Sequence, residues 1–339
     1  MLAGWPNQWP AAAGLLPETA GAFAVQAAAG WPGAAANRFR GVRLEADLTP
    51  RRRSLAAWVF VAPALIAIGV FFAIPVGAAL LMSLTDFDIY ALADIRNLRF
   101  AGLDNYSALL ANPLFWQALW NTVIFVVIGV PLSIATSLGA ALLLHSKLAR
   151  FQGFFRTALF APVVTTLVAV AVVWRYLFHT RYGLINHGLS YFGIDPIDWL
   201  GDPAWAMPAI VLLSVWKNFG YNMVILLAGL QAIPEDLFEA ARLDGARRWQ
   251  LLRHITLPSL APLLLVVSIL TMAGHFQLFA EPYVMTQGGP AQRTVTVLYL
   301  MYEEGFKWWS LGSASAVAFV LFVIMFAITL LQLRVSKST

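Results

Sequence analysis

"IPEDLFEAARLDGARRWQLLRHITLP", residues 233–258, is a charged, helix-prone stretch set between two of the most apolar runs of a 339-residue chain. Ile233-Pro234 suits a helix N-terminus, and Glu235, Asp236 and Glu239 follow in the first turns, where the helix dipole favours acids. Gly245 breaks that helix. Beyond it Trp249, Leu252 and Ile255 recur at three-residue spacing, which predicts a second short amphipathic helix running to a stop at Pro258. The expected shape is a helical hairpin outside the membrane, with apolar side chains from Leu237, Phe238, Leu243, Trp249 and Leu252 left to cover. A partner protein would bury them, or the hairpin would rest on lipid headgroups; periodicity alone fits both.

The runs on either side of this loop set its environment. Hydrophobic residues make up 60% of the chain, charged residues only 12%, and the mean hydropathy is +0.73. Soluble domains carry roughly 25% charged residues, so the composition is that of an integral membrane protein. The absence of cysteine excludes a disulfide framework, a thiolate zinc site and a cysteine nucleophile.

A helix needs about 20 apolar residues to cross a hydrocarbon core of about 30 Å. Six runs qualify: Leu55 to Leu84, Phe115 to Leu144, Phe155 to Phe178, Ala204 to Leu230, Ser259 to Val284 and Leu311 to Leu333. Strict period-2 alternation is absent, so the spans are helical and the fold class is all-α.

Lys and Arg fix the orientation. Fifteen lie in the segments sharing a side with the N-terminus, among them Arg38, Arg40, Arg43, Arg51 to Arg53, Lys147, Arg150, Arg156, Arg242, Arg247, Arg248 and Arg253, against five on the other side. This bias predicts that both termini and the hairpin are cytoplasmic. It also accounts for the pI of 9.6 without a nucleic-acid partner. Residues 1–54, rich in Ala and Gly with Trp-Pro pairs, read as a weakly ordered cytoplasmic extension rather than a signal peptide, and residues 55–335 as the six-helix domain.

Residue identities go further than shape. Glu239-Ala240-Ala241, Asp244-Gly245-Ala246 and Ile255-Thr256-Leu257-Pro258, at these spacings, closely resemble the coupling loop of inner-membrane permease subunits of binding-protein-dependent ABC importers. Within that superfamily the chain is similar to the carbohydrate-uptake, maltose-type permeases, from about residue 55 to residue 335. "VWKNFGYNMVILLAGLQAIPEDL" (215–237) and "MTQGGPAQRTVTVLYLMYEEGF" (285–306) carry that part of the likeness. The resemblance implies a type I importer permease fold in which the loop between the fourth and fifth spans is a helix-turn-helix docked on a separate cytoplasmic ATPase. Glu239 would then be the acidic contact and Gly245 the turn. Leu243, Asp244 and Ala246 would pack around it, with Ala240, Ala241, Ile255, Leu257 and Pro258 completing the element. It further implies a second homologous permease subunit, two copies of a P-loop ATPase holding ATP and Mg, and an extracytoplasmic solute-binding protein.

The chain itself lacks a G-x-x-x-x-G-K-[ST] phosphate loop, a metal constellation and a nucleophile-base pair, so no cofactor and no enzymatic step are expected on it. An ion-coupled secondary transporter would place carboxylates in the spans, yet none occurs until Glu281 near the outer end of the fifth.

Intramembrane polar groups mark a candidate substrate path. The fourth span offers Ser214, Lys217, Asn218, Tyr221 and Asn222 at helical spacing, and the fifth Thr271, His275 and Gln277. Hydroxyls, amides and aromatic faces suit a saccharide, whose OH groups need paired hydrogen bonds and whose C–H faces stack on rings. The family resemblance implies pocket roles for Ser214, Lys217, Asn218, Tyr221, Thr271 and His275, and for Thr165 on the third span. The same polar residues also suit hydrogen bonding between helices. Lys217, with Arg175 or His275, would favour an anionic solute such as an acidic oligosaccharide or glycerol phosphate. Outside the membrane, the turn-rich "TQGGPAQRT" (286–294) suggests that Gly288, Gly289 and Pro290 face the binding protein, although an ordinary solvated turn explains the glycines equally well.

Overall fold

The computed structural model describes residues 50–146 and 151–337. Residues 1–49, with the expected extension and Arg38, Arg40 and Arg43, lie outside the described residues, as do Lys147 and Arg150. The chain divides into two compact units, one ending at Phe72 and the other starting at Ala73.

The first unit contributes α1 (Pro50–Ile68) and all but the last residue of a π-helical turn, Gly69–Ala73. Helix α1 begins at Pro50, ahead of the expected boundary at residue 55. From Trp58 to Ser83 the chain is helical for 26 residues, with a mean hydropathy of 2.6 over its most apolar 18, enough to cross a bilayer.

The second unit contains α2 (Ile74–Ser83), the short α3 (Ile89–Ala93), α4 (Asp104–Ala111), α5 (Pro113–His145), α6 (Gln152–Val164), α7 (Leu167–Leu177) and α8 (Leu184–Ser190). It continues with α9 (Ala206–Gln231), α10 (Glu235–Leu243), α11 (Arg248–Leu251), α12 (Leu257–Phe276), α13 (Ala280–Met285), α14 (Val297–Tyr302) and α15 (Leu311–Lys337). Among the described residues no strand forms beyond an isolated bridge between Thr85 and Phe100. Among the described residues five helical stretches are long and apolar enough to cross a membrane, six if the bent pair α6–α7 is taken as one span.

Helix α9 is the central element. It is apolar around most of its circumference, and 61% of its most apolar window is buried, as expected of a helix surrounded by others. It packs along α5, α6 and α12. Close approach to α6 depends on Gly220, where a Cβ would meet the Leu159 carbonyl oxygen at 2.5 Å; small residues let membrane helices come together in this way.

Two expectations are altered. The third span is not continuous: α6 and α7 meet at 100°. Pro162 supplies no N–H inside α6, the Thr165 hydroxyl bonds back to the Pro162 carbonyl at 2.6 Å, and Thr165 and Thr166 take extended backbone angles. Local side-chain bonding of this kind competes with helix continuation. The second hairpin helix, in turn, does not stop at Pro258. It passes through a π turn, Leu252–Thr256, directly into α12, with Pro258 in the first turn of that helix, where a missing N–H costs little.

Candidate functional site

Two sites emerge, one beside the middle of α9 and one beyond its C-terminal end. One is a cavity of about 500 Å³ between α5, α9 and α12, roofed by the break between α12 and α13. That size falls within the roughly 300–1,000 Å³ of small-molecule sites. Helix α12 ends at Phe276, and Gln277, Leu278 and Phe279 leave the helix before α13 begins, so chain that would otherwise be sealed inside a helix lines the cavity.

Of the residues expected along a substrate path, Ser214, Asn218, Tyr221 and Asn222 from α9 line this cavity together with Thr271, His275 and Gln277. Asn222 Nδ2 donates to Thr271 Oγ1 at 2.8 Å, tying the two helices together while both side chains border the space. Asn218 donates to the Ser214 carbonyl at 2.9 Å. His275 Nδ1 lies 2.8 Å from the Thr271 carbonyl, which can only accept, so Nδ1 carries the proton. Its Nε2 faces Ser133 Oγ at 3.4 Å and its ring stacks on Phe125 at 5.0 Å, so the imidazole is fixed in the wall.

Thr165 and Lys217 are not in that lining. Thr165 sits at the bend of the third span. Lys217 is buried, and its ammonium donates to the Val163 carbonyl at 3.0 Å.

The wall also contains a group that spacing arguments passed over. Glu281, in the first turn of α13, lines the cavity and is only 5% exposed. An acid within a span is by default a functional candidate. Its position in the apolar fifth run was the signal available; its place beside α9 was not.

The second site is the hairpin. Helix α10 ends in a Schellman-type turn: Gly245 N–H donates to Arg242 O at 3.0 Å and Ala246 N–H to Ala241 O at 2.9 Å, with Gly245 at φ +82°. This left-handed geometry is why glycine is needed there. Arg247 N–H then donates to Gln250 Oε1 at 2.7 Å, starting α11. Glu239, Ala240, Asp244 and Pro258 are exposed, Ala241, Ala246, Ile255 and Leu257 partly so. Leu243 is 89% exposed and Trp249 65%, so large apolar side chains stand in solvent on a rigid turn.

The loop following α13 is equally structured. Thr286 and Thr294 share a hydroxyl bond of 2.7 Å, Thr294 donates to Gly289 O at 2.7 Å, and Gly288 takes φ +81°. Asn121 of α5 donates to Gln292 O and Val295 O, both at 2.8 Å. Gly288, Gly289 and Pro290 therefore belong to a loop of fixed shape strapped to a long helix.

The family described as "Binding-protein-dependent transport system inner membrane component" matches residues 55–339. A lactose transport system permease protein of Rhizobium radiobacter is 37% identical over 285 residues, covering 83% of this chain and 93% of its own. A sulfoquinovosyl glycerol transport system permease protein of Agrobacterium fabrum is 34% identical, covering 84% and 91%. The crystal structure of a bacterial ABC transporter importing the acidic polysaccharide alginate contains a chain that superposes with a TM-score of 0.71 at 22% identity, covering 87% of this chain and 99% of that one. The last likeness is one of fold.

Proposed function

Because the chain belongs to the inner-membrane components of binding-protein-dependent transport systems, we propose that it is the permease subunit of an ATP-driven importer for a sugar or oligosaccharide. The observation that carries this reading is that the one central helix α9 lines a cavity with polar side chains and leads at its C-terminal end into an exposed hairpin with a fixed turn. In this account α9 and α12 contribute the saccharide-binding wall, and the hairpin that joins them docks on a separate ATPase. Closure of the ATPase pair around ATP and Mg moves the hairpin as a unit, and because α11 runs without a stop into α12, that displacement reaches the cavity wall. A short helical element transmits movement without stretching.

A second homologous permease completes the translocation path, and an extracytoplasmic binding protein delivers the solute at the loop containing Gly288, Gly289 and Pro290. Both termini and the hairpin face the cytoplasm, in keeping with the Lys and Arg distribution. The test is to tag the chain in its native host, extract it in mild detergent and identify its stoichiometric companions by mass spectrometry. Recovery of a second six-helix permease and a P-loop ATPase supports the assignment. Recovery of this chain alone, under conditions that preserve other membrane complexes, refutes it.

A further inference from the structure

We infer that the exposed seam between α5 and α9 holds a glycerophospholipid, with its phosphate on Arg293 and an acyl chain along the groove beyond. The groove is a cavity of about 480 Å³ that shares no lining residue with the one beside the middle of α9. Helix α5 contributes Ile124, Ile128 and Leu132, and α9 contributes Met207, Val211 and Leu212. Ile128, Leu132 and Leu212 are exposed, so the groove opens away from the bundle. From Asn121 to Leu132 its α5 wall runs about 16 Å, close to the depth of one leaflet of a hydrocarbon core about 30 Å thick.

Tryptophans mark its level in the bilayer. Trp116 and Trp120 are exposed on α5, Trp205 is exposed at the start of α9, and Trp199 lines the groove itself. Indole rings favour the headgroup region. Asn121, next to Trp120, holds the backbone at Gln292, so Arg293 stands at this same end of the groove. Ile128 and Leu132 follow two and three turns further along α5, at hydrocarbon depth.

Lipid tails are as apolar as leucine, so an apolar wall alone selects nothing inside a bilayer. Selection rests on the polar end. Asn121 has no group left for a ligand: its Nδ2 donates to Gln292 O and Val295 O, both at 2.8 Å, and its Oδ1 accepts from Gln117 Nε2 at 3.0 Å. Trp199 Nε1 is likewise committed, to Asn186 Oδ1 at 2.8 Å. The Arg293 guanidinium, by contrast, has no hydrogen bond or ion pair among the described residues. No acid lines the groove, and Asp202, beside it in the chain, accepts from Ala204 N–H at 2.8 Å. A planar guanidinium binds phosphate through two parallel N–H bonds, and its place at headgroup level favours a phospholipid over a helix of a second permease.

The experiment uses the complete transporter, purified in mild detergent without the binding protein, and native mass spectrometry. Palmitoyl-oleoyl phosphatidylglycerol and phosphatidylethanolamine are compared with the diacylglycerol of the same chains, which lacks the phosphate. One phospholipid per copy of this chain is expected to survive activation that strips the others. The diacylglycerol is expected to bind about tenfold more weakly, the worth of one charge-assisted hydrogen bond. Arg293→Gln is expected to lose the same factor for phospholipid, and Arg293→Lys, which keeps the charge without the fork, to lose less. Ile128→Trp fills the groove, leaves Arg293 in place and is expected to expel the lipid. Equal retention of phospholipid and diacylglycerol by the wild-type complex, a measurement that needs no variant, overturns the inference. Undiminished phospholipid retention in an assembled Arg293→Gln or Ile128→Trp complex does the same. A photoreactive benzoylphenylalanine at position 128 is expected to cross-link to phospholipid in native membranes; cross-linking to a second permease instead makes the seam a subunit interface and overturns the lipid site, while leaving the importer assignment standing.

Discussion

The ammonium of Lys217 in α9 lies 3.0 Å from the carbonyl oxygen of Val163, one residue before α6 ends at the 100° bend. With Thr165 and Thr166 extended, the last carbonyls of α6 have lost their helical partners, and a cation at a helix C-terminus satisfies one of them with favourable dipole interaction. Lys217 thus stabilises the break in the third span.

Lys217→Met keeps most of the stem's packing and removes the donor. Leaving this half-buried carbonyl without its donor costs at most about 1–3 kcal/mol, so a lower melting temperature of the purified complex is expected, with saccharide affinity unchanged. A large loss of sugar binding at an unaltered melting temperature would return Lys217 to the substrate path.

Asn222 and Thr271 hold α9 to α12 through one buried hydrogen bond. Thr271→Val and Asn222→Leu are each expected to destabilise the complex. A double-mutant cycle should give a coupling energy of about 0.6 kcal/mol, rising to about 1.7 at most, the range of polar contacts between membrane helices. A coupling of zero would mean that the two side chains serve the ligand rather than each other.

Gly245 has open space where a Cβ would stand, so its requirement is one of backbone alone. Gly245→Val in the left-handed region is expected to cost about 1–2 kcal/mol locally and to uncouple ATP hydrolysis from uptake in membrane vesicles. Gly245→Asn, better tolerated at φ +82°, should retain most transport. Wild-type coupling in the valine variant would exclude the hairpin from energy transfer.

The segment after α14 carries a pH effect. Partial burial, and then the neighbouring Glu303 charge, push the Glu304 carboxyl above its ordinary value of 4.5. The folded state thus binds this proton more tightly than the unfolded chain. Its contribution to stability is fully present below 4.5 and is lost as pH rises through the elevated folded value. Glu304→Gln is therefore expected to raise the melting temperature at neutral pH relative to wild type and to flatten its decline above pH 4.5; thermal melts across the acid-to-neutral range check both.

Hydropathy located the spans because a bilayer leaves a helix few alternatives. The hairpin was legible for a related reason: Pro234, the early acids and Gly245 each have one local explanation. Where several residues act jointly, the sequence was less informative. The bend at Thr165 and Thr166 involves Pro162, a hydroxyl back-bond and a lysine 54 positions from the Val163 carbonyl it holds, and no local window contains all three. Pro258 reads as a stop until the π turn before it absorbs the misfit. The α9 face from Ser214 to Asn222 was visible from helical spacing, whereas Glu281 joins it only because α12 ends at Phe276 and turns the chain back over the cavity. Asn121, which straps the loop at residues 292–295, lies more than 170 positions from its partners.

The chain has no cysteine, so Leu243→Cys on the exposed turn creates a single reactive thiol. Cross-linking that thiol in native membranes and identifying the product is the most direct test of the account. A product joining Cys at this position to a P-loop ATPase, with saccharide uptake falling in proportion to its yield, is the predicted result. Labelling by lipid-soluble reagents alone, with no protein adduct and transport unaffected, would contradict it and leave the hairpin as a membrane-surface helix.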